Sequence, residues 1–268
     1  MPTQASHPRQ RLHVLDMCLI ACAFHAHPDY ALILAGNRDE FHDRATAPAE
    51  PWVEDPQVLG GRDLVAGGSW LALSGRGRLA AVTNVRRMEG PRPGAPSRGA
   101  LVADFVCGTT TADGASATLL THAAEYAGFN LLLWDRHSLE YLSNQPTPRR
   151  KTLPPGVYGL SNAALDTPWP KLARLRAAMA AVAGQQRDVE SLFEVLADRE
   201  PGNDAALPDT GVGIDLERFL SPPFISDSRY GTRASTLVLV PHAGPMQLIE
   251  RRFGPEGQWL GERRLETP

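Results

Sequence analysis

Cysteine is nearly absent: the 268-residue sequence holds three, Cys18, Cys22 and Cys107. That is too few for a disulfide framework, and a reducing cytoplasm is the expected setting. No apolar run approaches the roughly 20 residues a helix needs to cross a bilayer, so no membrane span is expected. Residues 1–16 are polar, carry Pro2, Pro8, Arg9 and Arg11, and lack the apolar centre of a secretory signal. They read as a disordered extension or as a misassigned start ahead of Met17. Neither charge sign dominates: Lys+Arg number 27 and Asp+Glu 30, for a net charge of −3. No nucleic-acid partner is therefore expected. Lysine is scarce beside arginine, which reads as a bias of composition rather than of function. A phosphate-cradling Gly-x-x-x-x-Gly-Lys-Ser/Thr loop and a Gly-x-Ser-x-Gly elbow are both missing. His25 and His27 have no third ligand close by, so they read as turn residues, and neither a metal nor a cofactor is expected.

What is present is a chain that is 43% hydrophobic, with β runs at both ends and helical patterns between. Cys18–His25 and Tyr30–Arg38 read as two strands joined by turn chemistry at His27-Pro28-Asp29. Residues 42–58, rich in proline, alanine and acid, read as a surface loop. Ser69–Ser74 and Leu79–Val85 form a second predicted hairpin about Gly75-Arg76-Gly77. Leu101, Val102, Phe105 and Val106 recur at helical spacing and predict a helix over 97–107; another is predicted over Ala115–Ala124. Phe129–Trp134 and Leu139–Ser143 read as a hairpin. A stripe of Leu172, Leu175, Met179 and Val182 predicts a helix over 169–182, followed by one over 189–197. Residues 198–229 are loop-like, and Ala234–Val240, Met246–Phe253 and Gln258–Leu265 close the chain as strands. The order implies an α+β fold of two sheets covered by helices. No linker or repeat interrupts it, so residues 17–268 are expected to form one domain.

The candidate chemistry centres on the first hairpin. It brings the end of the second strand, Asn37-Arg38-Asp39-Glu40, back beside Cys18. An arginine favours the thiolate by its charge, and a carboxylate can hold an amine. Methionine directly before Cys18 suggests a nucleophile that becomes a chain N-terminus, whose own α-amine, of pKa about 7.7–8.0, takes the thiol proton. The plainer alternatives are a buried strand cysteine and a salt-bridged hairpin end. Cys18 and Cys22 share strand parity, which puts their Cα atoms roughly 13 Å apart, too far for a disulfide or a shared metal. Asn37 and Glu40 read as turn residue and loop anchor.

Met17-Cys18-Leu-Ile, Gly36-Asn-Arg-Asp-Glu-Phe41, Gly67-Gly-Ser-Trp-Leu71, Val82-Thr-Asn-Val85, Tyr158-Gly-Leu-Ser-Asn-Ala163 and Tyr230-Gly-Thr-Arg233 occur in this order. Together they resemble the NRDE family, also called the transport and Golgi organisation protein 2 family, from Met17 to near the C-terminus. That family looks related to the cysteine branch of the N-terminal-nucleophile hydrolases. The resemblance implies a four-layer αββα sandwich, with Cys18 as nucleophile and Arg38 and Asp39 beside it. By similarity to the acylases of that branch, Asn84 offers mainly its backbone N–H and Asn162 its side-chain amide to an oxyanion. Arg233 matches a late arginine that stabilises an anion or binds a carboxylate or phosphate. Read as isolated residues, the two asparagines are turns or caps, and Arg233 is a salt-bridge partner of Asp39 or Asp227. Trp70 lines a pocket for an apolar acyl group or packs in the core.

Two functions stay open on these grounds. One is a cysteine amidohydrolase-like enzyme acting on amide or thioester bonds through an acyl-enzyme on Cys18. The other is a non-catalytic carrier or trafficking protein on the same fold, since the family has been linked to haem trafficking and to lipid or acyl-thioester metabolism. The partner implied is a small molecule: an acyl amide, an acyl thioester or haem.

Overall fold

A computed structural model describes residues 17–86 and 92–268. The expectations for residues 1–16 lie outside the described residues. The chain forms thirteen strands and five α-helices among the described residues. Strands β1 (Met17–Phe24), β2 (Tyr30–Phe41), β10 (Gly156–Leu160), β11 (Tyr230–Pro241), β12 (Gln247–Phe253) and β13 (Trp259–Glu266) make one antiparallel sheet in the order β10-β1-β2-β11-β12-β13. The second sheet runs β3 (Thr46–Pro51), β4 (Val58–Asp63), β5 (Leu71–Ser74), β6 (Arg78–Asn84), β7 (Phe129–Trp134), β8 (Leu139–Ser143) and β9 (Arg149–Leu153), in sequence order. Helices α1 (Arg98–Cys107) and α2 (Ala112–Leu120) follow β6; α3 (Pro170–Ala183), α4 (Leu192–Leu196) and α5 (Ile214–Phe219) follow β10.

Strand alternation sorts the apolar residues into three interfaces. Even-numbered Ile20, Cys22, Leu32 and Leu34 pack with Val238 and Leu248 against Leu71, Leu73, Leu79 and Trp134 of the second sheet. Odd-numbered Leu19, Ala21, Ile33 and Ala35 face the other way, onto Leu172, Leu175 and Met179 of α3 and Phe193 of α4. Ala72, Ala80, Leu131 and Leu133, on the outer face of the second sheet, meet Val102, Phe105 and Val106 of α1. The layers are therefore helix, sheet, sheet, helix: the αββα sandwich of the α+β class.

The structure departs from the sequence reading where strands lack apolar alternation. Residues 42–58 are not a continuous loop, because β3 forms there as an edge strand. An edge tolerates Pro48 and Pro51, whose missing N–H groups would break a ladder elsewhere. The opposite edge, β9, reads Arg-Arg-Lys-Thr-Leu, with its polar side chains largely exposed. Within 198–229, α5 occupies a stretch expected to be loop. No helix among the described residues is long and apolar enough to cross a membrane.

Central strand β2 is buried from Ala31 to Glu40. Gly36 sits where β1 leaves no room: a Cβ there would lie 2.6 Å from the Leu19 carbonyl oxygen and 3.1 Å from the Ile20 side chain. Gly36→Ala should cost roughly 1–3 kcal/mol by forcing β1 and β2 apart. A urea-unfolding midpoint equal to wild type would show that the strand pair yields freely.

Candidate active site around Cys18

The β1–β2 register sets Met17 opposite Asp39 and Cys18 opposite Arg38. Cys18 and Arg38 thus share the inter-sheet face. Asp39, one residue on, turns to the helical layer, because successive strand residues point to opposite faces. The dyad is therefore divided between the two sides of the sheet rather than gathered on the thiol. Both members still border one cavity at the strand ends, of about 220 Å³, together with Cys18, Glu40, Trp70 and Asn84. Apolar Val82, Ala95, Pro96 and Ala127 add to its wall.

Arg38 is buried and lies over the Trp70 ring, 4.5 Å from its centroid. Its Nη2 reaches Glu40 at 3.5 Å and its Nη1 reaches the Thr46 hydroxyl at 3.4 Å. Glu40 is buried on this face and accepts the Phe41 N–H, so it anchors the strand end rather than pointing into solvent. Asn37 is not a turn residue. It is buried within β2, donates to the carbonyls of Leu196 and Pro223, and accepts the Ser235 hydroxyl at 2.6 Å.

The asparagines meet each other. Asn162 follows β10, and its Nδ2 donates to the Asn84 carbonyl at 2.9 Å. Neighbouring Ser161 donates from Oγ to the Cys18 carbonyl, while its own carbonyl accepts the Thr83 hydroxyl. Asn130 of β7 ties the same loop through the Ala163 carbonyl. Asn84 thus borders the cavity, and Asn162 holds Asn84 from behind. Arg233 lines an adjoining cavity instead, shared with Arg38 and Trp70. Its Nη1 donates to the carbonyls of Phe41 and Arg44, not to Asp39 or Asp227.

The sequence reading passed over Lys171, one of two lysines in the chain. Lys171 lies in the first turn of α3, is 2% exposed, and donates from Nζ to the Leu220 carbonyl at 3.0 Å. Burial pulls its ammonium down to about 8, opposed chiefly by Asp39 and, further down the order, by Cys18 and Glu217, while Arg86 adds to the fall. Burial likewise pushes the Asp39 carboxyl up to about 6, against the pull of Lys171, the Thr232 hydroxyl and Arg38. Thr232 donates to Asp39 Oδ1 at 2.7 Å, whereas Oδ2 is buried without a hydrogen-bond partner among the described residues. The signal was legible in principle: Lys171 occupies the same buried stripe as Leu175, Ala178 and Val182. No cluster of three metal-ligating side chains occurs among the described residues.

Fold and site together define an αββα sandwich with a cysteine-centred cavity at its strand ends. The sequence profile of the Transport and Golgi organisation 2 family matches residues 17–255. The chain is 33% identical over 258 residues to the Transport and Golgi organization 2 homolog of Mus musculus, covering 88% of this chain and 92% of that one. It is 35% identical over 262 residues to the Homo sapiens homolog, with the same coverage of 88% and 92%. It is 30% identical over 278 residues to Transport and Golgi organization protein 2 of Drosophila melanogaster, covering 91% and 95%. The chain belongs to the Transport and Golgi organisation 2 family. Among solved structures it is similar to penicillin V acylase from Agrobacterium tumefaciens, at 12% identity and a TM-score of 0.47, covering 93% of this chain and 86% of that one. It is also similar to a mutant conjugated bile acid hydrolase from Clostridium perfringens, at 8% identity and a TM-score of 0.49, covering 93% and 92%.

The buried charges give stability a defined pH dependence. Asp39 binds its proton more tightly folded, at about 6, than at the ordinary 3.8, so its contribution is largest at low pH and falls as pH rises toward 6. Lys171 binds its proton less tightly folded, at about 8 against 10.5, so stability should climb between those values, by at most on the order of 3 kcal/mol. Lys171→Met should abolish that alkaline climb and extend the acid-side fall above pH 6. Urea unfolding from pH 4 to 10 reads both; identical curves for variant and wild type would remove Lys171 from the site's electrostatics.

Proposed function

We propose that the protein is a cysteine amidohydrolase-like enzyme that cleaves amide or thioester bonds through an acyl-enzyme on Cys18. The observation that carries this reading is the buried Cys18 paired with Arg38 across β1 and β2, on the wall of a cavity large enough for a small acyl group. In the reaction, Sγ attacks the carbonyl carbon and the carbonyl oxygen becomes an oxyanion. Collapse expels the amine or thiol, which takes a proton as it leaves. Water then attacks the thioester on Cys18 and releases the acid.

The charge of Arg38 favours the thiolate. Asn84, bordering the cavity, is the oxyanion donor in this scheme, and Asn162 fixes its position through the Asn84 carbonyl. Removal of Met17 would free the α-amine of Cys18 as the base, at the end of β1 beside Asp39. Trp70 and Val82 give the acyl group an apolar wall. The carrier reading applies to a chain that keeps Met17, in which the Cys18 nitrogen is an amide rather than an α-amine base. In that state the cavity would hold an acyl thioester or haem without turnover. A cytoplasmic location belongs to both readings.

Intact-mass measurement during incubation with N-acyl amides and acyl thioesters should show an acyl adduct on Cys18, in protein that begins at Cys18. Cys18→Ser should fold normally and lose at least about 10²-fold in rate, because a hydroxyl is the weaker nucleophile. Cys22→Ser, whose side chain packs between the sheets, should keep activity. No adduct with any compound, together with haem or acyl-thioester binding that survives Cys18→Ser, would replace the enzyme by the carrier.

A further inference from the structure

Three arginines border the second cavity, of about 30 Å³, which adjoins the first across Arg38 and Trp70. The register explains why they meet. Ala234 of β11 pairs with Arg38 of β2 on one side and with Arg252 of β12 on the other. Residues directly opposite on neighbouring strands share a face, here the inter-sheet face that carries Leu34, Val238 and Leu248 further along. Ala234 is small, so the space above it stays open between two long side chains. A bulge between Thr232 and Ala234 interrupts the alternation of β11, and Arg233 lines the same cavity.

The positive charge here is only partly offset: Glu40 and Asp43 act on Arg233, and Glu250 on Arg252 and Arg38. Arg38 has only the long contacts to Glu40 and Thr46, at 3.5 and 3.4 Å. Arg233 donates to backbone carbonyls, which carry no net charge. Burial, and then the neighbouring Arg38, hold its guanidinium below the usual arginine range. The Arg252 side chain makes no hydrogen bond or ion pair among the described residues. Glu250, one rung further along β12, is the acid of the lining; its Oε2 is occupied by the Ala49 N–H at 2.8 Å, and burial raises its carboxyl above the usual range. Guanidinium groups crowded together without equal counter-charge match the geometry of a carboxylate or phosphate, which each can meet with paired N–H donors.

We propose that this second cavity is an oxyanion-binding site, in which Arg38, Arg233 and Arg252 hold a carboxylate or phosphate group. The space is small, about 30 Å³, and is lined by Arg38, Arg233 and Arg252, which suits a compact anionic group better than an apolar chain. The remainder of the ligand would extend past Arg38 and Trp70 into the larger cavity. In the hydrolase reading, on which this extension rests, the substrate is an acyl compound bearing a carboxylate or phosphate, with its reactive carbonyl at Cys18.

The site is tested by titrating inorganic phosphate and acetate, separately, into the full chain at ionic strength held constant with sodium chloride, and following thermal unfolding. At least one anion should raise the midpoint saturably. Phosphate alone would define a phosphate-bearing ligand and acetate alone a carboxylate. Arg252→Gln should weaken the apparent affinity at least about tenfold, the worth of one charge-assisted hydrogen bond. Arg150→Gln, on β9 at the far edge of the second sheet where Arg150 pairs with Asp113, should not. No saturable effect of either anion, or equal weakening by both variants, overturns the site. The readout does not involve Cys18 chemistry, so failure to form an acyl adduct would leave the anion site standing.

Discussion

Strand β2 is buried along both faces, so each of its side chains must be satisfied inside the molecule, and the two-residue alternation decides on which side. Its apolar half sends Leu32 and Leu34 between the sheets and Ile33 and Ala35 to the helices. Its polar half obeys the same rule: Asn37 and Asp39 go to the helical layer, Arg38 and Glu40 to the space between the sheets. The site is a continuation of the core by other residue types. Where leucine would fill volume, Arg38 and Cys18 leave a cavity; where alanine would touch α3, Asp39 lies within electrostatic reach of the buried Lys171 ammonium.

That arrangement opposes local stability. A buried carboxylate and ammonium each lose hydration, and their attraction rarely restores it in full. The opposite shifts of Asp39 and Lys171 register that loss from both partners. Lys171 also breaks two local rules, standing on an apolar stripe and near the positive end of the α3 dipole. Sequences that violate local preferences in a buried place tend to do so where function requires it. The equally buried Arg86–Glu217 pair, 2.6 Å apart with Arg86 over Trp169, belongs to the same charged region, because both residues act on Lys171.

Arg38 joins the two cavities. It shares a face with Cys18 through the β1–β2 register and a face with Arg252 through Ala234, so one guanidinium forms the wall between a nucleophile candidate and an anion candidate. Trp70 covers that guanidinium from the second sheet. Trp70 itself is held against Gly61, where a Cβ would come within 2.2 Å of its ring. A glycine in β4 thus sets the position of an aromatic ring that both cavities use.

The sequence by itself determined the apolar elements and the first hairpin. Period-two and helical spacing located β1, β2, β5 to β8, α1 and α3, because their burial is written in alternation or in a stripe. It also sufficed to bring Arg38 beside Cys18, since a tight hairpin makes that contact local. Strands β3, β4, β9 and β10 escaped: β3, β9 and β10 are edges, which need no apolar face and tolerate proline and charge, and β4 carries the paired glycines Gly60 and Gly61, which break a strand pattern. The division of Arg38 from Asp39, the Asn162–Asn84 bond, the entry of Lys171 from α3 and the meeting of Arg233 with Arg252 were decided only by tertiary structure. Each depends on which strand lies beside which and in what register, including one bulge. Those choices are made by long-range packing of two sheets and a helical layer, which leaves no periodic trace in the chain.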